Sequence, residues 1–505
     1  MAYRGHEPVT LDEFKGLFNQ GDSEEAPSGY LVDGQNLRFL GSKALAVRPG
    51  VDQFQDVIAP LGNIVRIYNY ITDDGNTKLC LVWNGTSGTV WHVVDSVSAP
   101  TAVLTKTGME DFACVTYAGR AYISPFKSFT VGDLTIEKGL QSEFLYVYDG
   151  GGGAAVKAAG AAPTGTLIVA NGAAGNTDPG DHLFAVIFET DTGYLTAPGA
   201  ISALFATSAA FSVSFSAIPT GAANVVARHI VATKVIENYT GNTTGYTYYF
   251  IPGATINDNV TTTLANVSFF DADLLEDASH LLDNFAEIPA GAVLGLYHNR
   301  LVLASTFTEI SVAYLSFVGE PEAISQVDGL VTLPPNGLPI TQAFEMRDVL
   351  YVTKISLTAA FSDNEDVPSS WPMSIVDQAL GVPVHGVGTV NDVGASTVDY
   401  VVCATRRGIC IFNGKYLLPE LSWVISELWL AQDEDFFRYI QIVNDTINQN
   451  LYICLPDRTL LYGDYSNGLD PMNIRWMVWL YPFQVNCLAL VNTNQLIIGS
   501  EMGLP

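Results

Sequence analysis

His298-Asn299-Arg300, followed at once by Leu301-Val302-Leu303-Ala304, pairs a polar turn with a short apolar run and decides how the rest of the chain is read. The same unit recurs at Asp74-Gly75 and at Ala118-Gly119-Arg120 before Ala-Tyr-Ile-Ser. It returns at Arg347-Asp348 before Val-Leu-Tyr-Val and at Arg407-Gly408 before Ile-Cys-Ile-Phe. Two last copies stand at Asn448-Gln449-Asn450 before Leu-Tyr-Ile-Cys and at Thr493-Asn494-Gln495 before Leu-Ile-Ile-Gly. Tight turns rich in Gly, Asn and Asp flanked by β-formers start hairpins, and a propeller blade is a small antiparallel meander built from such hairpins. Helical periodicity is nearly absent; only residues 11–19 and 271–285 suggest short helices. The fold class is therefore all-β, a β-propeller of about seven blades.

Spacing refines this. Successive turns lie roughly 40 to 60 residues apart, as expected for four-stranded blades, except between Gly119 and Asn299, where the gap is about three times too long. An insertion accounts for it. The Gly- and Ala-rich tract 150–162 reads as a flexible edge with almost nothing to pack, and Pro289-Ala290-Gly291 marks the far edge. Between them six strand-like runs fall at residues 166–170, 182–189, 211–215, 228–233, 247–251 and 261–270, the pattern of an immunoglobulin- or fibronectin-like β-sandwich. Removing residues 160–288 restores the blade spacing. The expected division is an amino-terminal segment 1–27, a first propeller part 28–159, the inserted sandwich 160–288 and a second propeller part 289–505. Because a propeller leaves no open sheet edge, a strand from residues 29–50 is expected to complete the last blade.

Composition excludes several functions. The 505 residues carry 23 Lys+Arg against 52 Asp+Glu, a net charge of -29, so a tight grip on DNA phosphates is not expected. An acidic surface lets DNA slide past, and it equally serves to keep a protein soluble. The opening Met1-Ala-Tyr-Arg-Gly-His6 has no apolar run after a basic start, so no secretory signal is expected, and no stretch approaches a membrane span. The six cysteines are scattered through apolar runs and read as small buried hydrophobes of a protein assembled in a reducing cytoplasm.

Enzyme motifs are missing. There is no phosphate-binding loop, no His-Glu-x-x-His and no Cys-x-x-Cys pair. The acidic clusters Asp363-Asn-Glu-Asp366 and Asp433-Glu-Asp435 could supply glycosidase carboxylates or calcium ligands, but any Asp-rich loop in so acidic a chain looks like this, and no Ser-x-Asp-x-Gly-x-Thr-Trp box appears. Neither has the alternating acid spacing and closing Glu of a calcium loop, so both read as turns. His298 reads as a turn or packing residue. Trp423, Trp429, Trp476 and Trp479 could form a sugar-stacking platform, yet their apolar surroundings favour blade packing. This reading assigns no catalytic, cofactor-binding or metal-ligating residue, and expects no enzyme activity.

Several segments resemble the tail hub or nozzle proteins of short-tailed bacteriophages. They are Asp33-Gly-Gln-Asn-Leu-Arg-Phe39 with Ala44-Leu-Ala-Val-Arg-Pro-Gly50, and Phe184-Ala-Val-Ile-Phe-Glu-Thr-Asp-Thr-Gly193 with Ala197-Pro-Gly199. Val226-Ala-Arg-His-Ile230 leading to Tyr248-Tyr-Phe-Ile251, Leu296-Tyr-His-Asn-Arg-Leu301 and Ile474-Arg-Trp-Met-Val-Trp479 extend the likeness over most of the chain. It is one of pattern and order. The resemblance implies a virion structural protein assembled in the host cytoplasm, one subunit of a commonly sixfold homo-oligomeric ring beneath the portal and its adaptor. Tail fibre or tailspike proteins would be neighbours, and double-stranded DNA would pass through at ejection without tight binding. This chain lacks an obvious long extension that would close the channel. A host-surface module recognising a glycan or protein is the alternative function.

Overall fold

The computed structural model describes residues 13–500 except 21–26, 28, 32–33, 41–43, 50–61, 73–74, 132–133, 391–399 and 492–494. Alternating apolar runs and positive-φ turns fold into seven antiparallel sheets arranged in chain order. Blade one comprises Asn63–Thr72, Gly75–Trp83, Ser87–Val93 and Thr101–Thr107. Blade two comprises Asp111–Tyr117, Arg120–Val131, Tyr146–Tyr148 and Val156–Lys157, with Leu134–Gly139 folded back on the far half of its long second strand. Blades three to six are the four-stranded meanders that begin at Gly291–Tyr297, Gln342–Met346, Val387–Val390 and Gln441–Asp445. Blade seven has Val485–Val491 and Gln495–Ser500.

The turns read from the sequence are where the chain reverses. Ala118 and Gly119, His298 and Asn299, and Arg347 and Asp348 take φ of 48° and 75°, 44° and 58°, and 51° and 59°, the double left-handed geometry of a two-residue hairpin turn. Arg407-Gly408 joins the second and third strands of blade five rather than its first two. Asp74, Thr493 and Asn494 lie outside the described residues.

Second strands such as Arg300–Thr306, Val349–Lys354, Tyr400–Thr405 and Asn450–Cys454 are buried on both faces, because each blade is covered by its neighbours on both sides. Seven apolar seams result. Leu79, Tyr70 and Ile123 join blades one and two, and Tyr122, Leu301 and Tyr314 join two and three. Leu350 packs with Val302, Phe344 with Cys403, Val402 with Leu451 and Tyr452 with Leu488. Ile67, Cys80 and Val82 of blade one meet Cys487 and Ala489 of blade seven and close the ring. The protein is thus a seven-bladed β-propeller. All six cysteines are free, and five of them are buried in these seams.

The sandwich strands lie between Lys157 and Gly291. Two three-stranded sheets face each other: Ile168–Thr177, Phe211–Ser216 and Leu264–Val267, against Phe184–Thr190, Val225–Ala232 and Tyr249–Ile256. Phe184, Val186 and Phe188 point into the core between the sheets, while Leu183, Ala185 and Ile187 point the other way and are covered by Ile236, Tyr248 and Leu281. This is the two-layer architecture of immunoglobulin-like sandwiches, here with most consecutive strands crossing between sheets.

Three expectations need correction. Residues 150–162 are not a free tether: Val156–Lys157 extends blade two, and Ala158 and Ala159 are buried in the seam between blades two and three. Their methyl groups are small enough to fit there, the Ala159 amide donates to the Glu322 carboxylate, and Lys157 clips the far edge through Glu287 at 2.8 Å. The second correction concerns helices. Residues 13–19 are irregular and not helical, with the Leu17 amide donating to the Trp476 carbonyl at 3.0 Å and that of Phe18 to the Leu31 carbonyl at 2.9 Å. Asp271–Asp273 and Ser279–Asp283 are single 3-10 turns. Third, the amino-terminal strand pairs with blade six instead of the last blade. Leu37–Phe39 and Leu45–Val47 form a hairpin, Gln35 bridges Val478 in parallel, and the Trp479 indole donates to the Leu37 carbonyl at 2.7 Å. The apolar outer strand Arg475–Trp479 is the edge that needs cover. Leu37 and Leu45 still share a core with Leu496 and Ile498 of blade seven. No helix among the described residues is long and apolar enough to cross a membrane.

Candidate functional site on the propeller axis

First strands are innermost in a propeller, so charged residues within them converge on the axis even when they are far apart in sequence. Arg66 sits in the otherwise apolar run Ile64-Val-Arg-Ile67 of blade one and is 4% exposed. Its guanidinium grips Asp111 of blade two with two bonds, Nε to Oδ1 at 3.1 Å and Nη2 to Oδ2 at 2.6 Å. Its Nη1 donates to Gln441 Oε1 of blade six at 3.1 Å, and that oxygen also accepts from the Leu488 amide of blade seven at 2.9 Å. His385, on the segment leading into blade five, brings Nε2 to 3.6 Å from Asp111 Oδ2 and lies on the Phe126 ring. One buried polar cluster therefore touches five of the seven blades.

The environment sets its charges. Burial alone would push the Asp111 carboxyl up, but Arg66 and His385 more than offset this and hold it well below the usual carboxylate range. Burial, reinforced by Arg66, lowers the His385 imidazole and keeps it neutral near pH 7. The arrangement locks a carboxylate in place at the axis.

Two cavities meet at the cluster. A smaller one of about 190 Å³ is lined by Arg66, Tyr68, Thr341, Gln342, His385 and Gln441. A larger one of about 320 Å³ opens where the first strands of blades one, two and seven begin, lined by Asp111, Lys127, Glu137, Arg438, Tyr439 and Arg458. The paired strands of residues 126–131 and 134–139 supply one wall. Tyr439 holds both arginines, with the Arg458 guanidinium 3.6 Å and that of Arg438 4.9 Å from its ring centre. Arg458 Nη1 donates to Asn486 Oδ1 at 2.9 Å.

Glu137 is 8% exposed, and burial raises its carboxyl to about 7 against the opposing pull of Arg438. A carboxyl raised on folding contributes stability that is full below its unfolded value and is lost as pH rises through the folded one. Glu137→Gln is accordingly expected to stabilise the chain by about 1–3 kcal/mol at pH ~8. The gain should shrink to nothing near pH ~4.5, the unfolded value. Denaturation curves at the two pH values measure this, and a gain independent of pH would contradict it.

The residues singled out from the sequence are not gathered here. Asp363 and Asp433 cap their own turns, accepting from the Glu365 and Asp435 amides at 2.9 and 3.0 Å, and they belong to different blades. The indoles of Trp423, Trp429 and Trp476 donate to the carbonyls of Pro471, Thr405 and Leu421 inside the seam of blades five and six. His298 stacks on Tyr297 at 4.2 Å, with carboxylates of Glu345, Asp348 and Asp363 at 3.6–3.8 Å. Sequence reading missed Arg66, Asp111, His385 and Gln441. The one local signal was a charged residue interrupting a β-run, as at Arg66.

No family model matches this chain, and no curated protein matches it. Solved structures with some likeness include Hsv2 of Kluyveromyces lactis, at 11% identity over 83% of this chain and 98% of that one, with a TM-score of 0.29. Apo AztD of Citrobacter koseri is similar at 9% identity over 83% and 89%, with a TM-score of 0.28. Neither likeness carries anything about function.

Proposed function

We propose that the protein is a non-enzymatic structural subunit of a phage tail ring, of the nozzle or hub type, and part of the DNA-ejection conduit below the portal and adaptor. The observation that carries this reading is where the charge lies. Among the described residues the buried cations Arg66, Lys78, Arg228, Lys354 and Arg475 nearly balance the buried acids Glu137, Glu322, Asp445 and Asp464. Among the described residues the surface therefore bears essentially the whole acidic excess, which suits a wall past which DNA moves. The axial cavities are far too small for a duplex, so on this reading DNA runs between the copies of a ring and not through one propeller. The sequence resemblance supplies the rest of the support.

Purified ring and linear duplex DNA test the reading. Binding should be weak at physiological salt, and its salt dependence shallow, since the slope counts neutralised phosphates. Electron microscopy of virions should place several copies around the tail channel with acidic residues lining it. Tight binding with a steep salt slope, or a basic lining, would count against the proposal. The cationic, tyrosine-bearing axial mouth favours a second reading, a host-surface binding module; a position at the virion periphery would support it.

A further inference from the structure

The larger axial cavity gathers cations in a chain that is short of them. Lys127, Arg438 and Arg458 line it, and Lys138 stands on the same strand pair with its ammonium 4.7 and 4.4 Å from the Phe129 and Phe307 ring centres. Against them stand three acids. Asp111 is already neutralised by Arg66, Glu110 accepts from the Ser128 amide at 3.1 Å, and Glu137 faces Arg438. Among the described residues, neither Lys127 nor Arg458 forms a salt bridge. The Lys127 ammonium rests on the Phe129 ring at 4.8 Å, and Arg458 is held by Tyr439 and Asn486.

Such a set matches one kind of ligand. Stacking fixes the plane of the Arg458 guanidinium, so it can present a fork to an oxyanion without losing much freedom on binding. Asn63, Asn486 and Ser128 add neutral hydrogen-bonding groups around the same space, and Glu137 adds an acceptor for a hydroxyl. A volume of about 320 Å³ is at the small end of ligand sites, enough for one monosaccharide-sized molecule. We infer that the axial mouth is a binding site for a small hydroxylated anion, a sugar bearing a phosphate or a carboxylate, held by Lys127, Arg438 and Arg458. The site is complete within one chain and does not depend on ring assembly or on the conduit reading.

Calorimetric titration of the full chain with glucose 6-phosphate, glucuronate, inorganic phosphate and glucose tests it. At least one of the two sugar anions should bind about tenfold or more tighter than both glucose and inorganic phosphate. The tighter of the two identifies phosphate or carboxylate as the recognised group. Lys127→Gln and Arg458→Gln should each weaken that binding about tenfold, with Lys127→Gln leaving the melting temperature within about 2 °C of wild type. Glu137→Gln, which removes an opposing charge, should tighten it. No saturable binding up to about 10 mM, a range far weaker than a functional site requires, would overturn the inference. So would binding that both cavity variants leave unaltered, or inorganic phosphate binding as tightly as the sugar anions.

Discussion

Asp111→Ala is expected to destabilise the chain by about 3–5 kcal/mol, because it leaves the Arg66 guanidinium buried and uncompensated at the axis. The loss is a large part of the ~5–15 kcal/mol by which domains are stable. Arg66 cannot escape to solvent, since it is enclosed by the first strands of a closed ring. A paired replacement, Arg66→Met with Asp111→Leu, should recover most of the loss, as apolar substitutes for a buried ion pair generally do. The pH dependence has a defined sign. Asp111 is depressed in the folded state, so its contribution is present above its unfolded value near ~3.9 and is lost as pH falls toward the folded value. Acid unfolding curves of the wild type should therefore bend down below pH ~4 more steeply than those of Asp111→Ala. A single mutant within about 0.5 kcal/mol of wild type, the range of neutral surface changes, would show that the pair does not hold the axis.

Deleting residues 1–49 is expected to abolish soluble folding. The segment covers the outer edge of blade six by backbone and side-chain contacts together. Asn36 donates its amide to the Val478 carbonyl and accepts through Oδ1 from the Leu480 amide, and Arg48 Nη2 donates to the Leu480 carbonyl at 3.0 Å. Phe39 lies between Arg475, 4.4 Å from its ring centre, and Tyr462. Leu17, Phe18 and Phe39 are buried, each worth ~1.5–3 kcal/mol, so their joint loss rivals the whole net stability of a domain. What is uncovered is an apolar strand edge, the kind of surface that recruits other chains. Phe39→Ala isolates one part of the effect and should cost ~3–5 kcal/mol. Size-exclusion chromatography and melting of both variants decide the matter; a truncated chain that is monodisperse and melts like wild type would defeat it.

The conduit reading and the axial anion site make separate demands. One concerns the outer surface and its copies, the other a cavity inside one propeller, so either can fail alone.

The hairpin turns were legible because their information is local: two residues able to take positive φ between β-formers, as at Ala118-Gly119 and His298-Asn299, specify a reversal without help from the rest of the chain. Their count implied about seven blades, and their spacing exposed the long interruption between blades two and three. The sequence also determined the acidic balance and buried the tryptophans among apolar neighbours. Tertiary structure decided what depends on distant partners. Residues 13–19 could be read as a helix until Trp476 and Leu31 offered their carbonyls, and Ala158 and Ala159 seemed idle until a seam of matching width closed over them. Arg66 and Gln441 are 375 positions apart and meet only because the ring closes. A turn's conformation is stored in two or three residues, whereas an axial site is created by closure itself, so no local pattern along the chain contains it.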